Sequence, residues 1–134
     1  MGGNAQLETT CPFCSIPRER FILSNTRGIA IRDGFPVSPG HTLIIPTRHV
    51  GSYFDLVEGE RDALLELLEE AKRGLDKELQ PDGYNIGIND GPVAGQTVPH
   101  LHVHLIPRYL GDQVDPRGGV RWVIPEKADY WSHR

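Results

Sequence analysis

His100, His102 and His104 alternate with Leu101, Val103 and Leu105. In a strand, successive side chains point to opposite faces, so this alternation specifies both the conformation and the side to be buried. Three branched aliphatics then anchor one face in a core, and three imidazoles line the other. Three histidines in a row are not what a merely solvated face would use. Imidazole serves as nucleophile, acid, base or metal ligand near neutral pH, so this strand carries chemistry.

The remaining pattern is α+β. Phe21 to Leu23 and Gly28 to Ile31 read as strands around a turn, and Thr42 to Pro46 as a third strand behind two turn-forming clusters. From Glu60 to Leu79, Leu64, Leu68, Ala71, Leu75 and Leu79 recur at helical spacing with Leu67 beside them. Pro81 and Gly83 stop this helix, and Glu58, Glu60 and Asp62 lie where its dipole favours negative charge. Tyr84 to Asn89 and Leu101 to Pro107 complete about five strands, and Tyr53 to Val57 forms a short helical turn. One long helix with short strands implies an antiparallel sheet covered on one face.

At 134 residues the chain is one domain with a real core. Residues 1–10, MGGNAQLETT, read as a flexible N-terminal tail without the basic start or apolar run of a signal peptide. The folded domain spans 11–110. Residues 111–134 are rich in Gly, Asp and Pro, yet Trp122, Val123, Ile124 and Trp131 imply an extension packed on the domain. A net charge of −4 gives no reason to expect nucleic acid as a partner. No stretch approaches the roughly 18 apolar residues of a membrane span. A cytoplasmic protein with reduced thiols is expected.

Two blocks carry a family resemblance. One is Gly91-Pro-Val-Ala-Gly95-Gln-Thr-Val-Pro-His100-Leu-His-Val-His-Leu-Ile-Pro107-Arg108, and the other is Asp33-Gly-Phe-Pro-Val-Ser-Pro-Gly-His41-Thr-Leu-Ile-Ile-Pro46. From about Cys11 to Arg108 the chain resembles the histidine triad (HIT) superfamily of nucleotide hydrolases and transferases, whose motif is His-φ-His-φ-His-φ-φ with φ apolar. The resemblance implies a five-stranded sheet with one long and one short helix, two copies joining into a continuous ten-stranded sheet as a homodimer. It implies nucleophilic attack by His102 on the α-phosphorus of a nucleotide, giving a nucleotidyl-histidine that water cleaves. His104 would hold a phosphate oxygen or protonate the leaving group, and His41 would orient the set. Asp33 matches the position that accepts hydrogen bonds from ribose hydroxyls, and Asn89 one used for phosphate or leaving-group contact. Gly95, Gln96 and Thr97 would approach or donate to phosphate oxygens, and Ile31 and Phe21 would border the base. No catalytic cofactor is required. Dinucleoside polyphosphates and other adenylylated compounds are the implied substrates, with Arg108 available to distal phosphate charge.

Cys11-Pro-Phe-Cys14 admits two readings. As a redox pair it should follow a strand and open a helix, and nothing apolar precedes Cys11. As half of a zinc site it needs two more ligands. His49 and His100 match the ligands of a bacterial HIT subgroup with the same N-terminal cysteines, so the resemblance implies a closed, structural zinc.

Other functions stay open on sequence. Phosphate could replace water and make the enzyme a phosphorylase, and a nucleotide-binding regulatory protein with weak phosphoramidase activity is the non-enzymatic reading. A metalloenzyme gripping one ion with His100, His102 and His104 is disfavoured, because the outer pair would stand roughly 13 Å apart on a straight strand.

Overall fold

A computed structural model describes residues 11–132. The expected tail, 1–10, lies outside the described residues. The strands are β1 (Phe21–Ser24), β2 (Gly28–Arg32), β3 (Thr42–Pro46), β4 (Gly83–Gly87) and β5 (Val103–Arg108). They form one sheet in the order β1-β2-β3-β5-β4, with every neighbouring pair antiparallel. The helix α1 (Glu60–Glu78) crosses between β3 and β4.

The helix packs its buried ridge of Leu64, Leu67, Ala71 and Leu75 against Ala30, Ile44, Val103 and Leu105 of the sheet. Each fully buried leucine contributes roughly 1.5–3 kcal/mol. Gly28 allows the close approach, since a Cβ there would lie 2.9 Å from Leu64 Cδ2 and 3.1 Å from the Ile45 carbonyl oxygen. Leu68 and Leu79 lie off this ridge. Leu68 is half-buried towards β4, and Leu79 is a largely exposed C-cap.

Coverage of one face alone does not describe this sheet. The near-continuous apolar runs of β2 and β3 are the mark of strands buried on both sides. Ile29, Ile31, Leu43 and Ile45 point away from α1 and pack with Phe13, Ile16 and Phe21 from the N-terminal part of the chain. The β5–β4 half of that second face forms a groove with the C-terminal extension instead. His104 lies there, in register with Leu43 on one side and Gly87 on the other.

The expected short helix is a single 3-10 turn, Tyr53–Asp55, with Ser52 capping the Phe54 N–H. It leads to a charged anchor. Glu60 is 3% exposed and takes two hydrogen bonds from Arg48, at 2.9 and 2.8 Å, plus the Val57 N–H. The Arg48 hydrogen bonds hold its carboxyl down to about 2. This ties the start of α1 to the segment that carries His49.

Candidate active site and metal-ligand cluster

The histidine segment enters the sheet late. Regular pairing of β5 begins at Val103, so His100 and His102 lie in a lead-in rather than on the strand. The lead-in bends at 98–100, where the His100 N–H donates to the Val98 carbonyl. Leu101 donates its N–H to the Val50 carbonyl at 2.7 Å and buries its side chain with the helix-side core. The alternation therefore persists through the lead-in.

Backbone carbonyls settle the tautomers of the first two histidines, because a carbonyl can only accept. His100 Nε2 lies 2.9 Å from the Pro46 oxygen, and His102 Nδ1 lies 2.9 Å from the His100 oxygen. Both nitrogens must carry the proton. His100 then keeps a lone pair on Nδ1 and His102 keeps one on Nε2. With Nδ1 anchored to the carbonyl, His102 presents Nε2 as the oriented nitrogen for attack. Phe13 stands edge-on to both rings, with centroids 5.0 Å from His102 and 5.9 Å from His100.

The same reasoning runs through the β3 side. The Val37 N–H donates to His41 Nδ1 at 3.2 Å, which places the His41 proton on Nε2. That nitrogen is 2.9 Å from His104 Nδ1 and 3.4 Å from Asp33 Oδ2. The His104 proton is then on Nε2, beside the His102 ring at a centroid distance of 5.0 Å. Burial is the main cause that lowers both imidazoles, with Asp33 partly opposing it at His41, and His104 is pushed down to about 4. His104 is thus neutral at pH 7, suited to donating a hydrogen bond rather than a proton.

Protonation of these two groups is therefore weaker in the folded than in the unfolded chain. For His104 the unfolded state binds more protons between about pH 6.5 and 4, so its contribution to stability is intact above 6.5 and lost as pH falls towards 4, and His41 acts in the same direction. Melting temperatures measured across this window should decline less steeply for His104→Gln than for the unaltered protein. Parallel curves would remove His104 as a cause.

Cys11, Cys14, His49 and His100 bring their ligand atoms within 4.8 Å of one another. Cys14 Sγ is 3.1 Å from His49 Nδ1 and 3.6 Å from His100 Nδ1, and Cys11 Sγ is 3.4 Å from His100 Nδ1. Tetrahedral zinc with ordinary bond lengths sets sulfur–nitrogen edges of about 3.5 Å. The free lone pair on His100 Nδ1 faces both sulfurs, with its other nitrogen fixed by Pro46. The donor set fits a metal. His100 thus belongs with the cysteines and not with His104, which separates it from any single ion shared by the three histidines. Asp33, His41 and His104 also converge within 4.8 Å.

The other site residues fall into distinct groups. Asn89 borders the same groove as His41 and His104. Asp33 Oδ1 is engaged by the Phe35 N–H, leaving Oδ2 towards His41. Gly95 adopts a positive φ of 99° at the end of the turn Pro92–Ala94 and comes near Asn89. Gln96 spends its side chain inside the loop: Oε1 accepts from the Gly91 N–H, and Nε2 donates to Gly51 and Val98 carbonyls. It braces the loop that precedes the histidines. Thr97 is exposed beside it. Ile31 is fully buried beneath Phe13, Ile16 and Phe21, with no surface to offer a base. Arg108 is closed by Asp112 and Asn85. Sequence reasoning overlooked Phe13 as the wall beside His102; its place within the Cys-x-x-Cys loop was the available signal.

The five-stranded antiparallel sheet thus presents His102 and His104 side by side, next to a Cys₂His₂ cluster of potential metal ligands. The HIT domain family model matches residues 17–111, and the chain belongs to that family. It is 33% identical to an AP-4-A phosphorylase of Mycobacterium tuberculosis, covering 92% of this chain and 67% of that one. It is 39% identical to a bis(5'-adenosyl)-triphosphatase of Saccharomyces cerevisiae over 72% of this chain but only 45% of that protein. Among solved structures, a Zn-bound histidine triad family protein from Mycobacterium smegmatis superimposes with a TM-score of 0.72 at 33% identity, covering 81% of each chain.

Proposed function

We propose that this protein is a nucleotidyl-transferring hydrolase that cleaves dinucleoside polyphosphates or related adenylylated compounds at the α-phosphorus. The observation that carries the reading is the bond from His102 Nδ1 to the His100 carbonyl, which leaves the Nε2 lone pair available for attack. In the first displacement an Nε2–phosphorus bond forms, and the bond to the leaving group breaks with its electron pair. The group departs as a phosphate anion from a polyphosphate, or takes up a proton from solvent when it is an amine. The His104 N–H stabilises charge on a non-bridging oxygen, where a preorganised donor is most effective. Water then attacks phosphorus and gives up a proton to solvent, the Nε2–phosphorus bond breaks with its pair returning to His102, and the mononucleotide is released. His41 and Asp33 hold the His104 tautomer, while Asn89, Gly95 and Thr97 border the phosphate.

A second ending has its own support in the relative named AP-4-A phosphorylase. Phosphate in place of water would release ADP rather than AMP from an adenylylated histidine. A panel of adenylylated compounds, with and without inorganic phosphate and with products separated, decides between them. With a diadenosine tetraphosphate, AMP beside the released ATP supports hydrolysis and ADP beside ATP supports phosphorolysis. With an adenosine phosphoramidate, whose leaving group is no nucleotide, the same choice reads as AMP alone against ADP alone. No cleavage of any member would defeat the reading.

Cys11, Cys14, His49 and His100 would hold a structural zinc, keeping the N-terminal loop against the catalytic segment and Phe13 against His102. No helix among the described residues is long and apolar enough to cross a membrane. A cytoplasmic location would keep both thiols reduced. Homodimerisation through the β4 edge would cover Leu65 and Ile86, 46% and 50% exposed, which border a shallow apolar hollow of about 240 Å³ with Leu68.

A further inference from the structure

The groove at His104 is larger than one reacting phosphate requires. Its volume is about 1010 Å³, and it runs from His41, His104 and Asn89 to Trp122 and Trp131 of the C-terminal extension. These are the chain's two tryptophans. They converge at Gly118, where a Cβ would lie 3.0 Å from Trp122 Nε1 and 3.2 Å from the Trp131 ring.

Both indoles are held in place. Trp122 donates Nε1–H to the Arg117 carbonyl at 2.8 Å, and the Arg117 guanidinium stacks 4.7 Å over the Trp131 ring. The turn that carries Trp122, Gly119–Val123, rests on β4, with Gly119 near the Asn85 amide. Even so, Trp122 remains 48% exposed. A large aromatic surface that is oriented but uncovered, at the end of a catalytic groove, is suited to stacking.

The cations nearby are already matched. Arg108 is bonded to Asp112 and Asn85, and Arg117 to Asp115. Recognition at this end therefore falls on a ring rather than on phosphate charge. We propose that Trp122 and Trp131 form the leaving-group subsite and bind a planar aromatic ring joined to the reacting phosphorus. The proposal rests on the nucleotidyl-transfer reading. The ring has two chemical sources, the base of a second nucleotide or an aryl amine.

The test compares three adenylyl substrates: adenosine phosphoramidate, which releases only ammonia, an aryl-amine amidate, and a dinucleoside polyphosphate. Trp122→Ala and Trp131→Ala should lower kcat/KM for an aromatic leaving group relative to the phosphoramidate by about tenfold, the scale of one lost stacking contact. The aromatic substrate whose ratio falls identifies the source. Unchanged ratios for both would overturn the subsite and assign the tryptophans to folding alone. If the protein cleaves none of the three, the nucleotidyl-transfer reading fails, and indole fluorescence still decides the subsite. Quenching by either aromatic compound and not by AMP supports it. Quenching by neither, or equally by AMP, overturns it.

Discussion

His102→Asn should reduce turnover by about 10⁴-fold or more while nucleotide binding changes little, because the lost atom is the one that bonds to phosphorus. Asparagine is the informative replacement. Its side-chain N–H₂ can still donate to the His100 carbonyl, which now holds His102 Nδ1 at 2.9 Å, so the lead-in to β5 keeps its polar partner. What disappears is the unprotonated Nε2. Acid-free quenching of the unaltered protein during turnover should trap a nucleotide-sized adduct on His102, and the variant should yield none. Calorimetric titration with AMP checks that the binding site survives. Turnover near the starting level in a folded variant would exclude this nucleophile, and loss of binding together with folding would require the glycine variant before any conclusion.

The polarity pattern made much of this legible and left a defined remainder. Leu101, Val103 and Leu105 are buried as their alternation requires. The point where β5 begins was not visible, because it depends on the Val50 carbonyl taking the Leu101 N–H from a distant segment. The unbroken apolar runs of β2 and β3 carry the mark of burial on two faces, which the expectation of a sheet covered on one face leaves unused. Identifying the cover as Phe13 and Ile16 needed the fold of the Cys11–Cys14 loop. Gln96 shows the limit most clearly: an amide beside a phosphate site reads as a donor to substrate, yet both of its N–H groups go to the Gly51 and Val98 carbonyls and its oxygen accepts from the Gly91 N–H. Trp122, Val123, Ile124 and Trp131 read from sequence as packed residues, whereas Trp122, Val123 and Ile124 are 48%, 76% and 52% exposed. The place of the two tryptophans in the groove followed only from the path of the chain across β4.

The second large effect concerns the cysteines. Protein purified without chelator should carry about one zinc per chain, and Cys14→Ser should carry essentially none. The two sulfurs already meet His49 and His100 at 3.1 to 3.6 Å, and a bound metal would add its binding energy to the folded state. A loss of about 3 kcal/mol in a domain of this size would lower the melting temperature by roughly 10 °C. Chelation should reproduce that shift in the unaltered protein and leave Cys14→Ser unchanged. Activity should fall less steeply than in His102→Asn, by about 10- to 100-fold, because the metal acts only through position. His100 stands between the two functions: Nδ1 faces the sulfurs at 3.4 and 3.6 Å, while its carbonyl orients His102. Releasing the ligands lets that carbonyl move, and the nucleophile with it. His49→Ala removes an exposed ligand far from the substrate groove and should copy both effects. Substoichiometric metal together with two titratable thiols and a chelator-insensitive melting point would defeat the zinc assignment and leave the catalytic histidines to stand on their own hydrogen bonds.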